Sequence, residues 1–282
     1  MTSSATGLVV LLGDPVGHSL SPAIHGSAFQ SLGLDLVYLA CRVAPEALEQ
    51  AVAGLDALGA LGANVTIPHK RAALDLADSA SPTAEALGAA NTLVRTETGW
   101  QADNSDVAGF LAPLEEHCQR VAGGSIVVLG AGGAARAVVY GALMELSPGR
   151  VVVAARRAEQ AEALAADLGR FGMVEAVPLA EAREAVREAA LVVNATPLGM
   201  GDGRTPWPDA DDFHGGQIVY DLVYRPRPTP FLQAASERGA TTIDGLPMLL
   251  GQAAASFRQW TGRDMPLDVA RRSALAVLDR DP

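Results

Sequence analysis

The stretch that most constrains this chain is a buried strand that runs straight into glycines and then into a helix. Ser125–Leu129 is almost wholly apolar, Gly130-Ala131-Gly132-Gly133-Ala134-Ala135 follows at once, and a helical pattern covers about residues 135–146. A strand this apolar must be covered on both faces, which points to a parallel sheet with helices on each side. Gly130 permits the tight strand-to-helix turn, Gly132 lets backbone approach a pyrophosphate, and Ala135 fills the small third position of the pattern. The helix N-terminus offers free N–H groups and a positive dipole end to phosphates. The segment reads as the opening turn of a dinucleotide-binding, doubly wound domain.

The chain after it keeps the same rhythm. Arg150–Ala155 is the next strand, residues 159–168 the next helix, and residues 191–195 and 217–222 are later strands. Residues 199–216 hold many Gly, Pro and Asp and read as a long functional loop. The second strand ends in Arg156-Arg157, where an NAD site usually has an acid for the ribose 2′-hydroxyl. Two guanidiniums suit a 2′-phosphate instead, and the nearest acid, Glu159, falls on the following helix. NADP is therefore the expected cofactor.

The first hundred residues alternate strands over 8–12, 37–41 and 62–67 with helices over 21–32 and 45–58. This is a βαβ pattern and implies a mostly parallel sheet, with Ser21-Pro22 opening the first helix as N-cap and N1. Residues 248–260 and 268–278 read as closing helices. With 282 residues there is room for two α/β domains. A net charge of −11 argues against a nucleic-acid binder, which needs a basic face. The apolar run near the start is too short for a signal peptide and no segment is long enough to span a membrane, so the cytoplasm is expected. Cys41 and Cys118 form no metal or redox spacing, and His18, His25, His69, His117 and His214 form no ligand motif, so no metal is expected.

Composition matters most at one position. Among 21 basic residues only Lys70 is lysine, within Asn64-Val65-Thr66-Ile67-Pro68-His69-Lys70. Arginine supplies charge as well as lysine does, but it does not give up a proton near neutral pH. A lysine kept where all others are arginine suggests proton transfer. Around it the sequence offers hydroxyls at Ser19 and Ser21, amide and hydroxyl groups at Asn64, Thr66 and Asn91, and a carboxylate at Asp106, where the two blocks meet. That set suits binding a small hydroxylated acid and moving a proton at its carbinol.

These motifs together resemble the shikimate dehydrogenase family: Ser19-Leu20-Ser21-Pro22, the Asn64–Lys70 segment, Gly88-Ala89-Ala90-Asn91-Thr92, Asp103-Asn104-Ser105-Asp106, the glycine turn, Asn194-Ala195-Thr196-Pro197-Leu198-Gly199-Met200, Asp221-Leu222-Val223-Tyr224 and Gly245-Leu246-Pro247-Met248 through Gln252. The resemblance implies an N-terminal α/β substrate domain, residues 1–106, completed by helices within 245–282. A Rossmann-type NADP domain would span 107–244, with the active site in the cleft between them. It implies reversible reduction of 3-dehydroshikimate by NADPH in chorismate and aromatic amino acid biosynthesis, by a monomer or homodimer. Lys70 and Asp106 would be the catalytic pair, with Ser19, Ser21, Thr66, Asn91, Tyr224 and Gln252 holding substrate. Gly130, Ala131, Gly132, Gly133, Ala134, Ala135, Arg156, Arg157, Thr196, Met200, Val223 and Gly245 would form the cofactor site. The family's NADP-type members tend to read Asn-Arg-Thr where this chain has Ala155-Arg156-Arg157. The alternatives are a quinate/shikimate dehydrogenase using NAD, and a non-catalytic NADP-binding sensor.

Overall fold

The computed structural model describes residues 2–201 and 203–280; the expected domain ends at Met1 and Asp281-Pro282, and Asp202 in the long loop, lie outside the described residues. The chain divides into two compact units, one made of residues up to 105 and from 252 onward, the other of residues 106–251. The return crossing falls later than the 244/245 boundary read from sequence, because one unbroken helix, Gly245–Thr261, carries it. Its first turns belong to the second unit. A side chain at Gly245 would strike the Leu222 carbonyl, and one at Gly251 would strike Gly109 and Ala112.

The first unit is built on six strands: β1 (Gly7–Gly13), β2 (Leu36–Arg42), β3 (Gly62–Val65), β4 (Ser79–Ala80), β5 (Thr92–Thr96) and β6 (Gly99–Asp103), in the spatial order β2-β1-β3-β5-β6-β4. β1 pairs parallel with β2 and β3, whereas β5 runs antiparallel to β3 and β6. The sheet is thus mixed, and the β5–β6 hairpin is absent from the sequence reading. Leu93, Trp100 and Ala102 share one buried face, with Arg95 lying over the Trp100 ring at its margin, while Val94 and the exposed Gln101 are on the other face. Short alternating runs of this kind carry a weaker signal than a strand buried on both faces. Leu48, Val52 and Leu55, spaced by four and three on the helix Leu48–Ala57, pack with Val10, Leu12, Val65 and Leu93 in the core. The C-terminal helices close this unit. Trp260 donates from Nε1 to the Leu93 carbonyl at 3.0 Å, over a β3 backbone where Gly62 leaves room for the indole.

The helix after β1 spans Ser21–Ser31, and Ser21 is its first residue, not its cap. Ser19 takes the capping part instead, its Oγ accepting the Ser21 N–H at 3.2 Å. Leu20 already has helical backbone angles at the N-cap position, which moves the role one residue back.

The second unit has six parallel strands: β7 (Ser125–Leu129), β8 (Arg150–Ala155), β9 (Val174–Pro178), β10 (Leu191–Asn194), β11 (Ile218–Asp221) and β12 (Thr241–Ile243). Their order, β12-β11-β10-β7-β8-β9, is the doubly wound one, with the reversal of direction between β7 and β10. The edge strands β9 and β12 escaped the sequence reading because they are only half-buried and include Glu175, Thr241 and Thr242. The long loop after β10 is anchored at a buried carboxylate. Asp212, buried, accepts from Arg183 Nε (3.1 Å), Arg187 Nε (2.7 Å) and Trp207 Nε1 (3.0 Å). Burial alone would raise its carboxyl pKa, but these donors together hold it below the usual range.

Candidate active site

In the first unit the strand directions bring the polar residues to one end of the sheet. Ser19 and Ser21 follow β1, Thr66 and Lys70 follow β3, Asn91 precedes the antiparallel β5, and Ser105 follows β6. Main-chain hydrogen bonds fix this edge: Val65 N–H to the Asn91 carbonyl (2.8 Å), Asn91 N–H to the Asp103 carbonyl (3.0 Å) and Thr66 N–H to the Leu12 carbonyl (2.9 Å). Lys70 is half-buried and opens the short helix Lys70–Asp75. Its carbonyl accepts the Ala90 N–H at 2.8 Å. The preceding residue, His69, is buried and donates from Nε2 to the Val43 carbonyl at 2.8 Å. The backbone beneath the lysine is therefore pinned on both sides.

Asn91 has its amide oriented by the protein. Its Oδ1 accepts from Ser105 N–H (2.7 Å), Ser105 Oγ (3.1 Å) and Thr92 Oγ1 (3.0 Å). Its oxygen is thus taken up within the protein, and Nδ2 is the atom through which the amide can act as a donor. Asn64 differs. Its Nδ2 donates to the Asn91 carbonyl (3.1 Å) and Ser256 Oγ (3.0 Å), and its Oδ1 accepts from Tyr38 (2.8 Å). Asn64 is thus a support for the site and not a ligand-facing group. Beneath it, His25 stacks on Tyr38 with ring centroids 4.4 Å apart. Full burial lowers the His25 pKa to about 3, so the ring is neutral at physiological pH. Burial also pushes the Tyr38 phenol above its ordinary range, against an opposing hydrogen-bond influence from Ser21. Gln252, half-buried, stands four residues before Ser256 on Gly245–Thr261.

In the second unit the glycine turn lies at the reversal between β7 and β10. Gly130 has φ +108°, and a Cβ there would fall 2.9 Å from Thr196 Cγ2. Only glycine fits that conformation without strain. A Cβ on Gly132 or Gly133 would meet nothing within 4 Å. The helix Gly133–Gly141 begins there with no side-chain cap and no acid in its first turn. The open N–H groups, the space above them and the dipole fit a pyrophosphate. Arg156 and Arg157, at the end of β8, are exposed, and neither guanidinium has a partner among the described residues. They fit a 2′-phosphate in the same way. Met200 is 59% exposed, and Val223 is buried.

The loops after β10 and β11 are joined by one buried carboxylate. Asp221 accepts from Asn194 Nδ2 (2.8 Å), Val223 N–H (3.0 Å) and Thr229 Oγ1 (2.6 Å). Asn194 Oδ1 in turn accepts from the Thr196 N–H (3.0 Å) and hydroxyl (2.7 Å). Thr196 is thereby oriented through Asn194 by Asp221. Tyr224 is half-buried in this unit, and burial pushes its phenol pKa up while Arg225 opposes the rise. Asp106, buried, opens the helix Asp106–Leu111 directly after Ser105.

Of the residues singled out from sequence, Ser19, Ser21, Thr66, Lys70, Asn91 and Gln252 belong to the first unit. Asp106, Tyr224 and the cofactor-site residues belong to the second. Three supports were not recognised: Thr92, Ser105 and Ser256. Ser256 had one signal, its i+4 spacing from Gln252 on an otherwise apolar helix. Among the described residues no group of three or more His, Cys, Asp and Glu could hold a metal ion.

Comparison with known proteins identifies the family and the fold. Residues 11–93 match the shikimate dehydrogenase substrate binding domain, residues 114–198 the shikimate/quinate 5-dehydrogenase family, and residues 245–275 the shikimate 5′-dehydrogenase C-terminal domain. The chain is 52% identical over 270 residues to shikimate dehydrogenase (NADP(+)) of Salinibacter ruber, covering 93% of this chain and 95% of that protein. The crystal structure of Thermus thermophilus shikimate 5-dehydrogenase with NADP(H) and shikimate superposes with a TM-score of 0.86 at 39% identity, covering 96% of this chain and 99% of the other. Quinate dehydrogenase of Corynebacterium glutamicum, in complex with NAD, gives a TM-score of 0.90 at 32% identity, with 96% and 99% covered. By its matched domains, full-length relatives and two-unit α/β architecture, this chain belongs to the shikimate dehydrogenase family.

Proposed function

We propose that the protein catalyses the reversible reduction of 3-dehydroshikimate to shikimate with NADPH, on the route to chorismate and the aromatic amino acids. The observation that carries this reading is the hydrogen bond from Ala90 N–H to the Lys70 carbonyl. It ties the one lysine of the chain to the backbone beside Asn91, whose amide can offer a ligand only a donor. A proton-exchanging amine next to fixed donors is the equipment for a carbinol on a hydroxylated acid. Ser19, Ser21, Thr66, Asn91, Gln252 and Tyr224 hold the carboxylate and hydroxyls. Lys70 gives a proton to the substrate oxygen during reduction and takes it back during oxidation, and Asp106 accepts a hydrogen bond from the same hydroxyl. Bound NADPH supplies the hydride. The turn 130–135, with Thr196, Met200, Val223 and Gly245, holds the dinucleotide, and Arg156 and Arg157 hold its 2′-phosphate. Among the described residues no helix is long and apolar enough to cross a membrane, and a cytoplasmic monomer or homodimer completes the reading.

A two-by-two assay of shikimate and quinate against NADP and NAD, followed by absorbance of the reduced cofactor, tests it. Shikimate with NADP is expected to be fastest. Oxidation releases a proton, so its rate should rise with pH. Fastest turnover of quinate with NAD would favour a quinate dehydrogenase, and no turnover at any pH a non-catalytic sensor. In the same assay Arg156→Ala combined with Arg157→Ala should raise KM for NADP by about tenfold or more, from lost charge-assisted hydrogen bonds, and leave KM for NAD unchanged.

A further inference from the structure

The first unit contains a buried hydrogen-bond chain with a direction. Tyr38 donates to Asn64 Oδ1 at 2.8 Å, and Asn64 Nδ2 donates to Ser256 Oγ at 3.0 Å. Ser256 Oγ donates to Ser105 Oγ at 3.2 Å, and Ser105 Oγ to Asn91 Oδ1 at 3.1 Å. Ser256 is fully buried and sits at the branch point of this chain. Its oxygen also meets Thr92 Oγ1 at 2.8 Å and the Gln252 carbonyl at 3.1 Å. A serine hydroxyl has one proton and two lone pairs. Asn64 fills one lone pair, and since Thr92 Oγ1 donates to Asn91 Oδ1, the Ser256 proton is shared among Ser105, Thr92 and the Gln252 carbonyl.

The two amides at the ends constrain the hydroxyls between them. Asn64 must present Nδ2 to Ser256, because its Oδ1 takes the Tyr38 proton. Asn91 must present Oδ1 inward, because the Ser105 backbone N–H points at it. Both amide orientations are therefore fixed, and Ser256 is the hydroxyl through which the two are joined. We propose that Ser256 is a positioning residue for substrate binding, acting through Ser105 and Thr92 on the Asn91 amide and directly on the Gln252 backbone. This rests on the reading of Asn91 and Gln252 as groups that hold shikimate. Without the Ser256 hydroxyl, the Thr92 and Ser105 hydroxyls can rotate away, and Asn91 Oδ1 is held by the Ser105 backbone N–H alone, a looser hold on the amide.

Steady-state kinetics of Ser256→Ala, Asn91→Ala and the double variant test this, with thermal melting of each. Ser256→Ala is expected to raise KM for shikimate by about tenfold, with KM for NADP unchanged and kcat within about twofold. Ser256→Cys, which keeps the volume with a weaker donor, should fall between. The double variant should show no further rise over Asn91→Ala alone, because both substitutions remove the same interaction. A purely structural serine would instead lower the melting temperature and leave the KM ratio of the two ligands unchanged, which would overturn the proposal. Additive effects in the double variant would overturn it as well. Wild-type protein that fails to turn over shikimate would sink the functional reading and this proposal together. Active wild-type protein with an unaltered KM in Ser256→Ala would sink this proposal alone.

Discussion

Lys70→Arg protein is expected to fold, bind both ligands and turn over about 10³-fold more slowly than wild type, the scale of a lost general acid–base. The substitution keeps the positive charge, so it separates proton transfer from electrostatic attraction. Arginine stays protonated throughout the accessible pH range and cannot serve as the base for shikimate oxidation. The backbone is held in place: the Lys70 carbonyl is bound by the Ala90 N–H, and His69 is anchored on the Val43 carbonyl. The measurement is kcat in both directions with Kd for shikimate from equilibrium binding. A kcat within about threefold of wild type would remove the proton-transfer role and leave lysine as a binding group.

Asp221→Ala should cost about 3 kcal/mol of stability, read as a lower denaturant midpoint. Three buried donors, on Asn194, Val223 and Thr229, lose their acceptor together, and a buried donor left unsatisfied costs about 1–3 kcal/mol. The cost stays near the lower end of that sum because Asn194 Nδ2 keeps the Leu198 carbonyl. Folded variant protein should also show a raised KM for NADP, since Asn194 no longer fixes Thr196. The pH dependence has a definite sign. Burial raises the Asp221 carboxyl pKa, outweighing the hydrogen bonds that lower it. The folded state therefore holds this proton more tightly than the unfolded one, and its contribution to stability falls as pH rises through the folded pKa. Asp221→Asn should flatten that part of the stability profile just above the ordinary carboxylate range. An alanine variant with an unchanged midpoint would show that the three donors find other partners.

Legibility from sequence followed the physics of burial. Strands covered on both faces, β7, β8, β10 and β11, announce themselves as unbroken apolar runs, and the glycine turn had to follow one of them. The hairpin β5–β6 and the edge strands β9 and β12 did not, because polar side chains occupy their exposed positions. Lys70 and Asn91 could be found from their motifs, but the difference between Asn91 and Asn64 could not. Both are asparagines in polar segments, and only the partners at each amide show that Asn64 is a support within the protein. Ser256 gave only its spacing from Gln252, because its other partners, Asn64, Thr92 and Ser105, lie far away in the chain. The place of the C-terminal boundary was hidden by the helix Gly245–Thr261, whose apolar pattern continues without a break from one unit to the next.

That helix has a topological consequence. The chain leaves the first unit after Ser105 and returns at Gln252, and at the far end of the inserted stretch Gly251 lies against Gly109. The hydrogen bond between Ser105 and Ser256 spans 151 positions. In an unfolded chain such a contact requires closing a very long loop, at an entropic cost that grows with the logarithm of its length. The folded insert closes that loop from within, because its own two ends already meet. For the first unit, the last two helices then arrive almost as if they followed residue 105 directly, and a contact remote in sequence becomes effectively local.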